Sequence, residues 1–298
     1  MIIDTRCRLT AGDAAGYFVN RMTHAGRMNR IGAFTDFSTD SFFEEIQAAG
    51  VTTAVSVSGL NPGAKLGRFD LPPRTTSNDD LARVQRDNPG SFLAVGGIDV
   101  SNAFHDALAE IDRCANELNM RAVCIEPGRA PGCLISDERL YPIYEKCQYL
   151  DLTMIIQTSG GLGGQYVDYA NPKYVEIMAE TFPRLRIICG HGCYPYVREA
   201  IVMASRRDNV WLSPDGYFFH MGHEDWVRAI NYNLMSFSER FLFGSAYPLT
   251  AIGLFVENFM KVSWREEVLE KILYRNALKA LGLENDPVFR QMYKLDPQ

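Results

Sequence analysis

The sequence predicts an α/β chain closed into a (β/α)8 barrel, a single domain over residues 1–298. Strand-like and helix-like segments alternate along the chain in eight β/α units. The strand-like segments are continuous apolar runs rather than alternating ones, as expected of a parallel sheet buried on both faces. There is neither a Gly-rich dinucleotide fingerprint nor a Walker phosphate loop, so a doubly wound sheet lacks its usual signature. Eight such units in one chain are the pattern of a TIM barrel.

The first strand is MIIDTRCRLT (1–10), with apolar Ile2, Ile3 and Leu9 among polar Asp4, Arg6 and Arg8. Strand side chains alternate between faces, so Arg6 and Arg8 point one way, and Thr5, Cys7 and Leu9 the other. Residues 10–37 carry Gly12, Gly16, Gly26 and Gly32 among aromatics and arginines, and read as a long loop of functional or mobile character. The regular beat then begins. Residues 41–50 read as a helix closed by Gly50, and 51–59 as the second strand. Helices at 77–90 and 101–119 start at the N-cap candidates Ser77 and Ser101, around a third strand at 91–100. Strands at 120–127, 152–158, 184–191, 209–216 and 240–248 follow. The intervening helices are 135–151, 171–183 (with Pro172 in its first turn), 194–207 and about 223–232. Helices at 249–261 and 264–282 close the pattern, and the tail after Gly282 folds back on the surface.

With 47% hydrophobic and 22% charged residues, the composition is that of an ordinary soluble globular protein. A net charge of −6 with scattered basic residues argues against nucleic acid as a partner. Seven cysteines cannot all pair, no CxxC occurs, and most sit in apolar segments, which suits reduced thiols in a cytoplasmic protein. No signal peptide is indicated, and the longest uncharged run, between Arg240 and Glu257, is too short to span a membrane. A homodimer through surface helices is compatible with a barrel of this kind.

Barrel enzymes place their chemistry at the carboxyl ends of the strands. Those ends supply Arg6 and Arg8, Ser58, Asp99, Glu126, Gln157 and Thr158, His191, Ser213 and Asp215, and Ser245 and Tyr247. Two arginines at the end of a buried strand are costly unless they meet anions. They either hold an anionic substrate or pair with Asp4 and other carboxylates. His191 is the one histidine at a strand end, and imidazole titrates near working pH. Glu126 and Asp215 fit either salt bridges to the arginines or catalysis. His24, His220 and His223 fall on expected loops.

These residues resemble the amidohydrolase-related proteins, in the branch of the aminocarboxymuconate-semialdehyde decarboxylase-like enzymes. The resemblance rests on IID at the start, CGHG (189–192), NVWLSPDGY (209–217), RFLFGSAYP (240–248) and KILYRNALKALGL (271–283). It implies one divalent metal, often zinc, held by a His-x-His pair on the first strand, a His on the fifth and an Asp on the eighth. Here those places hold Arg6 and Arg8, Gln157 and Ala246, whereas His191 matches the sixth-strand histidine that works as acid/base. Arginine offers no lone pair to a metal, and two guanidinium charges would repel one.

The expectation is therefore an enzyme without the standard metal, acting on a small carboxylate by hydrolysis, of a lactone for instance, or by isomerisation. His191, Glu126 and Asp215 would be catalytic, and Arg6, Arg8, Gln157 and Tyr247 would bind substrate. A zinc-dependent hydrolase or carboxy-lyase with substitute ligands, and a non-catalytic small-molecule-binding barrel, are the alternatives.

Overall fold

Seven parallel strands stand side by side in chain order to make most of a barrel wall, in a computed structural model that describes residues 1–57, 59–101 and 104–295. In sequence the strands are β1 (Ile3–Asp4), β2 (Thr53–Ser56), β3 (Ala64–Leu66), β4 (Phe69–Leu71), β5 (Phe92–Gly97), β6 (Ala122–Ile125), β7 (Thr153–Gln157), β8 (Ile187–Gly190) and β9 (Val210–Ser213). The wall runs β1-β2-β5-β6-β7-β8-β9, and β3 and β4 form a separate antiparallel hairpin. Its register is fixed by Ile3 against Thr53, Ala54 against Phe92, Val95 against Ala122, Met154 against Ile187 and Ile187 against Val210. Every residue of the seven wall strands is buried, the physical counterpart of their continuous apolar sequence.

The eighth strand position is filled by residues 240–247, which close the ring with few ladder bonds. Phe241 bridges Leu212 in parallel, Leu212 N–H donates to the Arg240 carbonyl (2.8 Å) and Leu242 N–H to that of Leu212 (2.9 Å). On the other side Thr5 N–H donates to Phe243 O (3.0 Å) and Arg8 N–H to Tyr247 O (3.1 Å). The ladder is interrupted because Phe243 N–H turns instead to the carbonyl of Ile272 (3.0 Å). Ile272 lies in a π-helical turn, Lys271–Arg275, inserted between helical segments Glu266–Glu270 and Asn276–Ala280. A π turn breaks the regular i to i−4 pattern, and one helical carbonyl is thereby offered to a neighbouring element.

Helices cover the outside. Thr39–Ala48, Asn78–Asp87, Phe104–Asn116, Tyr141–Tyr149, Pro172–Thr181, Val197–Arg206, Glu224–Asn231 and Ile252–Lys261 fall between successive strands and after the last. The Ser77 cap forms, its hydroxyl accepting from Asp80 N–H (3.1 Å), and Gly50 ends its helix at φ 84°. Ser101 instead hydrogen-bonds the Asp99 carboxylate (2.5 Å), and residues 102–103 of the expected helix start lie outside the described residues, as does Ser58. No helix among the described residues is long and apolar enough to cross a membrane.

Three expectations change. The first strand is short: only Ile3–Asp4 ladders with β2, and Arg6 and Arg8 lie beyond it. Residues 10–37 are no open loop. They hold the helix Asp13–His24 and two 3-10 turns, Met28–Arg30 and Gly32–Thr35. Its glycines masked a helical stripe of Ala14, Ala15, Phe18 and Met22, all buried. The tail forms the helix Pro287–Tyr293, which buries Phe289 and Tyr293 and puts the Tyr293 hydroxyl 2.7 Å from Thr53 Oγ1.

Candidate active site

A cavity of about 240 Å³ opens where the strands end. Arg8, Glu126, Gln157, His191 and Asp215 line it, and Ala246 sits in its wall. His191 follows β8 and Asp215 follows β9, each in the left-handed region of backbone space, at φ 72° and 48°. Non-glycine residues hold that conformation at a cost on the order of 1–3 kcal/mol, so tertiary contacts must fix it. Here the contact is mutual: His191 Nδ1 stands 2.9 Å from Asp215 Oδ1.

Arg6 completes the arrangement from beneath the cavity wall. Its Nε donates to Asp215 Oδ2 (3.1 Å) and its Nη2 lies 3.0 Å from His191 Nε2. Guanidinium has only donors, so Nε2 is the acceptor, and the imidazole proton sits on Nδ1 and is donated to Asp215. Two glycines give the arginine its seat. A Cβ on Gly190 would lie 2.8 Å from Arg6 Nη1, and one on Gly244 would lie 3.2 Å from Arg6 Cβ. Burial pushes the His191 pKa below its ordinary value; Asp215 opposes the shift and the Arg6 charge adds to it. Burial would raise the Asp215 carboxyl, but His191, Arg6 and Arg8 outweigh it and hold it below the usual carboxylate range. The resting pair is a neutral imidazole on an ionised carboxylate.

Glu126 has a different environment. Arg74 Nη2 donates to its Oε1 (2.5 Å) and Arg129 Nη1 pairs with its Oε2. Burial alone would raise this carboxyl, yet the Arg129 and Arg74 charges bring it down to about 2. It is a fixed anion, engaged on both oxygens. Gln157 Oε1 accepts from Ser159 N–H (3.1 Å). Tyr247 and Arg6 do not line the cavity. Tyr247 is fully buried, and its hydroxyl donates to Glu45 Oε2 (2.8 Å) on the helix Thr39–Ala48. Ala246, at φ 62°, turns the chain so that the next side chain leaves the cavity. Asp4 pairs with neither guanidinium. It accepts from the backbone N–H groups of Arg6 (3.0 Å) and Ser245 (2.9 Å), holding the strand ends together.

Several lining residues come from the helix Asp13–His24, from loops and from the short helix Tyr217–His220, which a reading of strand ends does not reach: Tyr17, Phe18 and Arg21, then Arg74, Arg129 and Ser159, then Tyr217 and His220. Four guanidinium groups, those of Arg8, Arg21, Arg74 and Arg129, face the cavity against two carboxylates, Glu126 and Asp215. Both carboxylates already have partners, whereas the buried Arg8 has none at Nη1. Arg8 lies over the Phe18 ring, 5.7 Å from its centroid. Burial and the nearby Arg6 charge bring its pKa down to about 10, so it stays cationic at neutral pH. A positive wall with an unpartnered N–H is chemically suited to an anion.

The side chains do not fit a divalent metal at the place expected of one. Two guanidinium groups, an amide already accepting a backbone N–H and an alanine methyl stand there. Among the described residues no group of three or more His, Cys, Asp or Glu side chains is disposed to hold a metal ion.

A family profile described as amidohydrolase matches residues 35–283. Among curated proteins, 2-amino-3-carboxymuconate-6-semialdehyde decarboxylase of Dictyostelium discoideum is 24% identical over 240 residues, 70% of this chain and 66% of that protein. 2-Keto-4-carboxy-3-hexenedioate hydratase of a Sphingobium strain is 27% identical over 139 residues, 41% of each chain. The chain thus spans less than two thirds of either curated relative. Among solved structures, an uncharacterized TIM-barrel protein of Bordetella bronchiseptica superposes with TM-score 0.78 at 31% identity, over 95% of this chain and 98% of the other. 4-Oxalomesaconate hydratase of Rhodopseudomonas palustris shares the fold, with TM-score 0.64 at 19% identity over 99% of both chains.

Proposed function

The chain belongs to the amidohydrolase family, and from that premise we propose that it is an enzyme acting on a small carboxylate by acid/base chemistry that needs no divalent metal. The reaction is hydrolysis of a lactone or similarly activated ester, or an isomerisation. One observation carries this reading: a buried neutral imidazole, oriented by Asp215, faces a cavity whose cationic wall has an unpartnered arginine N–H.

In the proposal each residue has a distinct part. Arg8 takes a substrate carboxylate at its open Nη1. His191 accepts a proton at Nε2, from water in hydrolysis or from carbon in isomerisation, by exchanging its Arg6 hydrogen bond for one to the proton donor. Asp215 holds the tautomer and stabilises the imidazolium while it lasts. Burial and the Arg6 charge favour the neutral ring, so the proton is returned readily to the leaving oxygen or the new carbon centre. Glu126, fixed as an anion between Arg74 and Arg129, positions the arginines and does not carry a proton. Gln157 is a further polar contact in the wall, and Tyr247 supports the site from behind.

The test is a screen of lactones and of aromatic and dicarboxylic acids, in buffer with and without a chelator. Expected are turnover that survives chelation and a fall in kcat of about 10²-fold or more in His191→Ala. Equal turnover in that variant removes His191 from the mechanism. About one zinc per chain, with activity lost on chelation, overturns the metal-free reading. The likeness to the Dictyostelium decarboxylase favours a second reading, carboxy-lyase action. It predicts release of CO₂, from a carboxyl group other than the one on Arg8, since a clamped carboxylate is stabilised in the ground state.

A further inference from the structure

The hydrogen bonds around Ser159 leave one more group with an open donor. Ser159 is buried two residues past the end of β7, and its Oγ accepts from the backbone N–H of Gly161 (3.1 Å) and of Leu162 (3.2 Å). A hydroxyl oxygen has two lone pairs and one proton. Both lone pairs being engaged, the serine proton goes to the remaining neighbour, the Tyr217 hydroxyl at 3.0 Å. Tyr217 therefore accepts from Ser159 and keeps its own O–H free. No other partner for that proton occurs among the described residues, and Tyr217 lines the cavity.

The ring is held in place. It stacks on Tyr194, with centroids 4.7 Å apart and planes at 11°, and meets the His191 imidazole edge to face at 5.3 Å and 89°. Gly161 leaves room for the hydroxyl, since a Cβ there would come within 3.0 Å of it. Burial raises the phenol pKa, so the group is a neutral donor at working pH.

We infer that Tyr217 is a hydrogen-bond donor to the substrate, aimed at a carbonyl or alkoxide oxygen beside His191 and distinct from the carboxylate that Arg8 takes. In ester hydrolysis this oxygen gains negative charge as water adds. A donor already fixed in place stabilises that charge without reorganising. The inference rests on the proposed carboxylate site, and two probes separate the one from the other. Benzoate offers a carboxylate alone, whereas 6-oxo-1,6-dihydropyridine-3-carboxylate offers a similar ring with a lactam carbonyl that is not hydrolysed under assay conditions.

Calorimetry on the wild type is expected to show both probes bound, the lactam up to about tenfold tighter, as one net hydrogen bond allows. Tyr217→Phe brings the lactam to the affinity of benzoate and leaves benzoate unchanged. The infrared stretch of the ¹³C-labelled lactam carbonyl lies at lower wavenumber in the wild-type complex than in the Tyr217→Phe complex. The inference is overturned if Tyr217→Phe keeps the lactam preference and the low stretch, if it weakens both probes alike, or if the wild type shows no preference. If the wild type binds neither probe, the carboxylate site itself fails, and this inference with it.

Discussion

Arg6 touches His191 and Asp215 at once, in a cluster whose burial, with a lesser push from the Arg6 charge, sets how the site responds to pH. The imidazole is buried with a pKa below its ordinary value of 6.5. In the unfolded chain it titrates near 6.5, so as pH falls through that value the unfolded state binds a proton that the folded state does not. The His191 contribution to stability is thus present above about pH 6.5 and lost as pH falls toward the folded-state pKa. Urea unfolding between pH 7.5 and 5.5 should show stability dropping with pH, with a shallower slope in His191→Gln. At this scale the strand ends were informative for Glu126, His191 and Asp215, which line the cavity. It was silent where loops supplied the group. Arg74 and Arg129 bracket Glu126 from segments without periodic pattern, and Tyr217 stood in a quoted motif with no sign of which way its hydroxyl pointed. Tyr247 went the other way because the positive φ at Ala246 reverses the alternation assumed for a regular strand.

The closing helix supplies backbone partners to the eighth strand position. Its π turn frees the Ile272 carbonyl for Phe243 N–H, and Asn276 one turn later donates its side-chain N–H groups to the carbonyls of Ser238 (2.8 Å) and Phe241 (2.9 Å). One buried amide thus satisfies both approaches to the eighth strand. Replacing Asn276 with Ala leaves two buried carbonyls without donors and should cost about 2 kcal/mol, read as a lower urea midpoint with unchanged slope. The helix itself was legible from its period, and the wall strands from their unbroken apolar runs. The hairpin β3–β4 was not. Each of its strands has three residues, and Phe69 on it is 46% exposed, so neither length nor burial leaves a pattern of period two.

Taken whole, the molecule carries −6 and yet concentrates guanidinium groups in one cavity. Composition therefore gave no hint of the sign of the site, which depends on how the fold sorts charge. The thiols illustrate the opposite case. Most of the seven cysteines were expected in the core from their apolar neighbours, and all seven are buried. A thiol reagent such as dithiobisnitrobenzoate should modify fewer than one cysteine per native chain within minutes and seven in urea. Rapid reaction of one or more in the native state would mean that a barrel wall or helix layer opens on that timescale.

The sparse seam between β1 and residues 240–247 also dictates an order of events during synthesis. Thr5 finds its acceptor at Phe243, Asp4 its donor at Ser245, and Arg8 its acceptor at Tyr247. A nascent chain that has emerged only as far as Asp215 already owns every member of the acid/base cluster, yet lacks the stave that seals it. Until residues 240–247 are made, Asp4 lacks the Ser245 N–H that it accepts from and Arg6 lacks the cover of Gly244, so this polar cluster is sealed only when the last stave is in place.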